Sequence, residues 1–148
     1  MTEVDADLIA HMSDPKNYGT LESPDAIGVG ENPENGEKVI IYLRVSRTEQ
    51  EPLIEDIRFQ VIGCMTTVVA GSIVTQEAKG ITLSVGEQLV AATLGMLENV
   101  PPEEAACSEM VALSLQAAMD TYRHKQKDPN FGTITYKITH SCSTEEKQ

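Results

Sequence analysis

The sequence predicts an α+β protein, with a small antiparallel sheet and a layer of helices packed on it. Every second residue from Val39 to Val45 is aliphatic, and residues 57–61 alternate between apolar and polar side chains, which is the period of strands with one buried face. Apolar residues then recur at spacings of three and four between Met65 and Tyr122, which is the period of helices with one buried face. Because strands come first and helices follow together, the pattern is typical of the α+β class.

The first thirty residues predict a short helix over residues 5–12 followed by an irregular arm. Proline and glycine recur among acidic residues in this arm, at Pro15, Gly19, Pro24, Gly28 and Gly30. A turn is expected at Asn35-Gly36, because this pair readily adopts positive φ before a strand. Two strands then pair in an antiparallel fashion through their inward positions, Val39, Ile41, Leu43, Val45, Ile57, Phe59 and Val61.

Three helices follow the second strand. The first begins after Gly63-Cys64, repeats through Met65, Val68, Val69 and Ile73, and stops at Gly80. The second is predicted to open with a capping box of Ser84 and Glu87 and to bury Val85, Leu89, Ala92 and Met96. The third follows Pro101-Pro102, and its apolar stripe comprises Cys107, Val111, Leu115, Ala118 and Tyr122. Three cations, Arg123, His124 and Lys125, suit its electronegative C-terminal end.

Residues 128–148 predict a last strand with a polar tail. Ile134, Tyr136 and Ile138 alternate with polar residues, and a continued strand would place His140 and Cys142 on the same face, where they could chelate a metal. A polar terminal tail is more often frayed, so this site is a minor alternative. We therefore divide the chain into a domain over residues 1–127 and an extension over residues 128–148.

Composition narrows the class of function. The chain of 148 residues is 41% hydrophobic and 23% charged, which is ordinary for one globular domain. Its net charge of -12 repels phosphate backbones and anionic lipid surfaces, so neither nucleic acid nor membrane is an expected partner. The acidic N-terminus, the absence of a long apolar run and the odd count of three cysteines predict a cytoplasmic protein with thiol or metal chemistry.

Two cysteines lie early in predicted helices. Cys64 stands where a strand gives way to a helix, so the helix N-terminus is expected to lower its thiol pKa and favour the thiolate. Cys107 lies near the start of the third helix. Each cysteine taken alone is more often a small buried hydrophobic residue, and no CxxC or HxxxH spacing supports a metal site.

Four runs of sequence carry a resemblance to a known family. The run HMSDPKNYGTL begins at His11, IEDIRFQVIGC ends at Cys64, SIVTQEAKGITLSVGE begins at Ser72, and VPPEEAACS ends at Ser108. In wording and order they resemble the iron-sulfur cluster assembly scaffold family of the IscU, SufU and NifU N-terminal type, over residues 11–122. The resemblance implies the α+β fold of that family, with a small antiparallel sheet and helices packed on it.

The same resemblance implies a site, and this sequence departs from the family pattern there. Asn35 stands where the family has a cysteine, Glu37 where it has an aspartate, and Ala106 where it has a histidine. The implied ligands are the thiolates of Cys64 and Cys107 and the carboxylate of Glu37. Iron-sulfur clusters are held mainly by thiolates, four in the usual case, so one chain is short of soft donors. Two chains could supply Cys64 and Cys107 twice to one shared cluster in a homodimer.

The resemblance implies a noncatalytic scaffold or carrier that transiently binds iron, sulfur or a [2Fe-2S] cluster, with zinc as the alternative metal of the isolated protein. The implied partners are a cysteine desulfurase and recipient apo-proteins. Two rival interpretations stay open: a divergent paralogue that acts as a regulatory or interaction module without a cluster, and a thiol enzyme in which Cys64 relays persulfide sulfur.

Overall fold

The structure is a computed structural model, which describes residues 14–34, 36–47, 51–63, 65–100 and 102–138. The described elements are the strands β1 (Ala26–Asn32), β2 (Glu37–Ser46), β3 (Leu53–Ile62) and β4 (Ile134–Lys137), and the helices α1 (Met65–Ala78), α2 (Leu83–Met96) and α3 (Pro102–Lys127). The helix predicted over residues 5–12, and the tail with His140 and Cys142, lie outside the described residues.

The strands form one sheet in the order β3-β2-β1-β4. The predicted antiparallel pair is confirmed as β2 and β3, and β1 adds to it antiparallel to β2. β4 runs parallel to β1, so the sheet is mixed rather than wholly antiparallel. The strand predicted in the segment after residue 127 is thus confirmed, and it is an edge strand of the same sheet.

The prediction of an irregular arm through Gly30 is wrong, because β1 occupies its last part. The face of β1 that packs on α3 consists of Ala26, Gly28, Gly30 and Asn32, which gives no alternation of large apolar side chains. A Cβ atom at Gly28 would lie 2.0 Å from the backbone nitrogen of Ala118. The small residues of β1 therefore give no strand-like hydrophobic pattern, and they also allow α3 to approach the backbone of β1.

The core lies between the sheet and α3. β2 and β3 contribute their inward side chains to it, including Ile41, Leu43 and Phe59, and α3 contributes Val111, Leu115, Ala118 and Tyr122 as predicted. α1 packs mainly through small and polar residues, among them Thr67, Ser72 and Thr75, while Met65 is 51% exposed. Gly71 lies under the ring of Phe59, where an added Cβ would come within 2.4 Å of a ring carbon.

The predicted cap of α2 is wrong, and its predicted buried face is wrong at Val85, Ala92 and Met96, which are exposed, while Leu89 packs partly buried against the core. Thr82 is the N-cap, and its hydroxyl accepts a hydrogen bond from the Val85 N–H, whereas the Ser84 hydroxyl donates to Glu51. The helix buries Leu83, Gly86 and Val90, and Met96 is 72% exposed. Gly86 lets Met119 of α3 pack closely, since a Cβ there would lie 2.8 Å from its sulfur. The buried face of the helix is therefore centred on a glycine, with Leu83 and Val90 on either side of it.

β4 is tied to both β1 and α3. The N–H of Ile138 donates to the carbonyl of Glu31, and the N–H of Ile134 donates to the hydroxyl of Thr121. The Tyr136 hydroxyl donates to the Asp120 carboxylate at 2.5 Å. Among the described helices, none combines the length and the hydrophobicity needed to cross a membrane.

Candidate metal and sulfur site

One end of the sheet places Glu37, a predicted ligand, beside Asn32 and Gly63. In the register of the ladder, Asn32 at the end of β1 lies opposite Glu37 at the start of β2. Lys38 lies opposite Ile62 of β3, so Glu37 is level with Gly63, the residue that precedes Cys64 in the chain. Three strands thus end or begin at the same end of the sheet, where Glu37 lies and where the chain continues from Gly63 to Cys64.

Glu37 is partly buried, and its side chain rests against Gly63. A Cβ atom added at Gly63 would lie 3.1 Å from Cδ of Glu37 and 3.3 Å from its Oε2. A side chain at position 63 would therefore require the Glu37 carboxylate to shift by a few tenths of an ångström. Gly63 therefore leaves room for the carboxylate of Glu37, a predicted ligand.

The loop between β1 and β2 turns through Gly36, which has φ of 79°. The Gly36 N–H donates to the carbonyl of Asn32 at 2.9 Å, and the Glu34 N–H donates to the Oδ1 of Asn32 at 3.0 Å. The expected turn is confirmed by these described neighbours, while Asn35 itself lies outside the described residues. Positive φ at Gly36 explains why a glycine serves at this step.

Asn32 is a functional candidate that the sequence patterns did not indicate. Its side chain is fully buried at 0% exposure, and its Nδ2 has no hydrogen-bond partner within the part of the chain that the structure describes. A buried polar group without a partner costs about 1–3 kcal/mol, so such groups are uncommon in folded proteins. Asn32-Pro33 is a recognisable turn signal, but burial of its amide depends on the packing of α3.

Cys107 is the sixth residue of α3 and is partly exposed. It therefore lies in the second turn, beyond the first residues whose N–H groups have no partner within the helix. Ala106 next to it is fully buried and belongs to the hydrophobic core. The position where the resembled family has a histidine consequently faces the protein interior in this chain.

Of the three predicted ligands, the described residues place Glu37 at the end of the sheet and Cys107 on α3. Glu37, Gly63 and Asn32 share one end of the sheet. Within the described ranges, no group of three or more His, Cys, Asp or Glu residues is arranged so that it could hold a metal ion. Cys64 lies outside those ranges, so its convergence with Cys107 stays a prediction. The tail alternative with His140 and Cys142 stays a prediction for the same reason.

Comparisons with known proteins agree with this fold. An iron-sulfur cluster assembly scaffold protein of Archaeoglobus fulgidus, IscU 1, is 34% identical over 119 residues, which cover 78% of this chain and 73% of the relative. The scaffold protein IscU of Azotobacter vinelandii is 28% identical over 122 residues, covering 80% of this chain and 93% of the relative.

A crystal structure from Fervidobacterium islandicum, of a candidate iron-sulfur cluster assembly scaffold protein for the SUF system, shares the fold. Its TM-score is 0.57 at 16% identity, over 80% of this chain and 96% of the other. The family model of the NifU-like N terminal domain matches residues 4–129. Since that match spans most of the 148 residues, the chain belongs to the NifU-like N-terminal domain family.

Proposed function

We propose that this chain is an iron-sulfur cluster assembly scaffold or carrier, which transiently holds iron, sulfur or a [2Fe-2S] cluster as cargo. The observation that carries the proposal is the placement of the Glu37 carboxylate against Gly63, the residue before Cys64, in a chain of this family. Relatives that match most of the chain carry the name of scaffold proteins for the same process.

The residues fit a weak and transferable site. Cys64 and Cys107 supply two thiolates, which are the preferred donors for iron and sulfide. Glu37 supplies a carboxylate, a harder donor that thiophilic iron releases more easily. With Asn35 in place of a third thiolate, one chain lacks a full set of soft ligands. The fourth position is left to a second copy of this chain or to the partner that delivers or receives the cargo.

The chemistry of the cargo identifies the partners. Sulfur reaches a thiolate most directly as a persulfide, so we propose a cysteine desulfurase as the donor and apo-proteins as the recipients. The chain binds and passes on its cargo without catalysing a reaction of its own. We place this function in the cytoplasm, where thiols stay reduced.

A second function is favoured by two specific residues. Asn35 stands at a ligand position, and Ala106 is buried in the core where the resembled family has a histidine. A module that keeps the fold to bind a protein partner, without a cluster, would tolerate both residues. Cargo binding therefore separates the two functions.

Anaerobic reconstitution with ferrous iron and sulfide tests the proposal. We expect wild type to bind both and to show thiolate-to-iron absorption in the visible range, and Cys64→Ser and Cys107→Ser each to lose most of the bound iron. Glu37→Gln should bind less than Glu77→Gln, a matched control on an exposed position of α1. Iron and acid-labile sulfide per chain, together with mass by light scattering, are measured for every variant. A wild type that takes up neither iron nor sulfide would favour the interaction module.

A further inference from the structure

The amide of Asn32 is held in a defined orientation. Its Oδ1 accepts the Glu34 N–H at 3.0 Å, which identifies the opposite atom as the Nδ2 donor. That donor is fully buried and lacks a partner among the described residues. The acceptor half of the amide is used by the turn, and the donor half is not.

The turn alone does not account for an asparagine. Serine also offers a side-chain oxygen to a backbone N–H two residues on, and it would avoid both a buried amide donor with no acceptor and a buried carboxylate. An asparagine brings an N–H that the fold itself leaves unmatched. The unmatched N–H therefore points to a hydrogen-bond acceptor on a ligand that the protein binds transiently.

The packing of β1 on α3 locates Asn32 along the helix. A Cβ at Gly28 would meet Ala117 and Ala118, and a Cβ at Gly30 would meet the Met110 carbonyl oxygen at 2.2 Å. Two residues along a strand advance about 6.6 Å, which corresponds to about four residues of helix. Asn32, the next residue on this face, therefore lies beside the helical turn that carries Cys107, and its ladder partner is Glu37.

We propose that Nδ2 of Asn32 is a hydrogen-bond donor to the anionic sulfur of the cargo, as a positioning residue between the Glu37 and Cys107 ligand positions. Hydrogen bonds to sulfur stabilise its negative charge and tune the reduction potential of iron-sulfur clusters. A neutral N–H donor is well suited to a chain of net charge -12 that must hold a further anion. This inference rests on the proposed scaffold function for the identity of the sulfur.

Two variants separate the donor from the turn. Asn32→Asp keeps an oxygen for the Glu34 N–H and replaces the donor with an anionic oxygen, whereas Asn32→Ser keeps a smaller oxygen acceptor. Asn130→Asp, an exposed site beyond α3, is the matched control for the change of charge. If Asn32→Asp does not fold, the test uses Asn32→Ser and the side-chain amide resonance of Asn32 in the wild type.

The first measurement uses the apo-protein and a polysulfide. Treatment with polysulfide converts accessible thiolates to persulfides, and mass spectrometry verifies the added sulfur. In ¹⁵N-labelled protein, the side-chain amide resonance of Asn32 should shift downfield on sulfur loading, while that of Asn130 should not. The second measurement reconstitutes with iron and sulfide and follows release to a chelator. We expect Asn32→Asp to release its cargo on the order of 10-fold faster than wild type and Asn130→Asp.

The outcomes keep this inference distinct from the proposed function. A shifted Asn32 resonance in a protein that holds no iron would support the donor and count against the cluster scaffold. A wild type that holds iron and sulfide, with an unmoved Asn32 resonance and unchanged release from Asn32→Asp, would overturn the donor and leave the scaffold standing. A wild type that takes up neither persulfide sulfur nor cargo would overturn both.

Discussion

Asn35 and its neighbours show how a single residue can decide whether a site is complete. Gly36 and Asn32 already hold the turn on either side of Asn35 through a backbone hydrogen bond of 2.9 Å. A cysteine at position 35 would therefore add a soft donor without requiring the described ends of the loop to move. Under the proposed function, a substitution at position 35 would change the donors of the site and keep the hydrogen bond between Gly36 and Asn32.

We expect Asn35→Cys to raise the amount of iron and sulfide bound per chain after anaerobic reconstitution, and to let a single chain retain the cargo. Wild type should bind less, or bind only as a dimer. Metal and sulfide assays with light scattering check this. Equal uptake by wild type and variant would argue against position 35 as a ligand position.

This substitution is best made without a histidine at position 106. Ala106 is fully buried in the core, so an imidazole there would overpack the interior at a cost of about 1–3 kcal/mol. The family comparison alone suggests adding both residues. The packing of α3 argues against the histidine, because Ala106 is fully buried in the core.

At the level of elements, the contact between β1 and α3 depends on two glycines. A Cβ at Gly28 would lie 2.0 Å from a backbone nitrogen, and one at Gly30 would lie 2.2 Å from a backbone oxygen. Backbone atoms cannot rotate away as a flexible side chain does, so one of the two elements must shift. Since Asn32 follows on the same face, such a shift would also move the candidate site.

We expect Gly28→Ala to lower the free energy of unfolding by about 3 kcal/mol. Gly132→Ala is the control, because a Cβ there meets no atom within 4 Å. Urea denaturation of both variants and wild type measures the difference. Similar losses for the two alanine variants would show that β1 and α3 are not in close contact.

The hydrogen bond between Tyr136 of β4 and Asp120 of α3 predicts that the free energy of unfolding falls at alkaline pH. The Asp120 carboxylate that accepts the Tyr136 hydroxyl, with burial, raises the pKa of Tyr136 to about 12. Because the folded pKa lies above the unfolded value of about 10, this contribution to stability is complete below pH ~10 and is lost as pH rises toward 12.

Tyr136→Phe should therefore reduce the fall in unfolding free energy between pH 9 and 12, and it should be less stable than wild type near pH 8. Urea denaturation across this range is the measurement. A phenylalanine variant with the same alkaline dependence as wild type would contradict this role for Tyr136.

At the scale of the whole molecule, the segment after residue 127 contributes to the same sheet. β4 pairs with β1 from Gly28 to Glu31, and Ile138 is buried in the core. The proposed boundary after Lys127 separates the family-like region from this strand in sequence. The structure nevertheless makes β4 the neighbour of the strand that carries Asn32.

We expect the free energy of unfolding of a chain that ends at residue 127 to be about 3 kcal/mol lower than that of a chain that ends at Ile138. The shorter chain loses the burial of Ile138 and the hydrogen bonds of β4. Comparison of these two truncations isolates the strand from the tail. Thermal and urea denaturation provide the values. Equal stability would support an independent domain over residues 1–127.

By itself, the sequence determined the α+β class, the β2 and β3 pair, the existence of three helices and the family. These features depend on local periodicity and on runs of residues that can be read in order. It also indicated Glu37, Cys64 and Cys107 as ligand positions. Of these, the structure describes Glu37 at one end of the sheet and Cys107 on α3.

Only the tertiary structure decided β1, the buried faces of α1 and α2, the burial of Ala106 and the unmatched amide of Asn32. For β1, α1 and α2, a close approach between elements is made at a glycine. Gly28, Gly71 and Gly86 carry no hydrophobic signal of their own, yet each admits a neighbour that a side chain would exclude. Periodicity records which residues are apolar, whereas burial depends on which surfaces can come into contact.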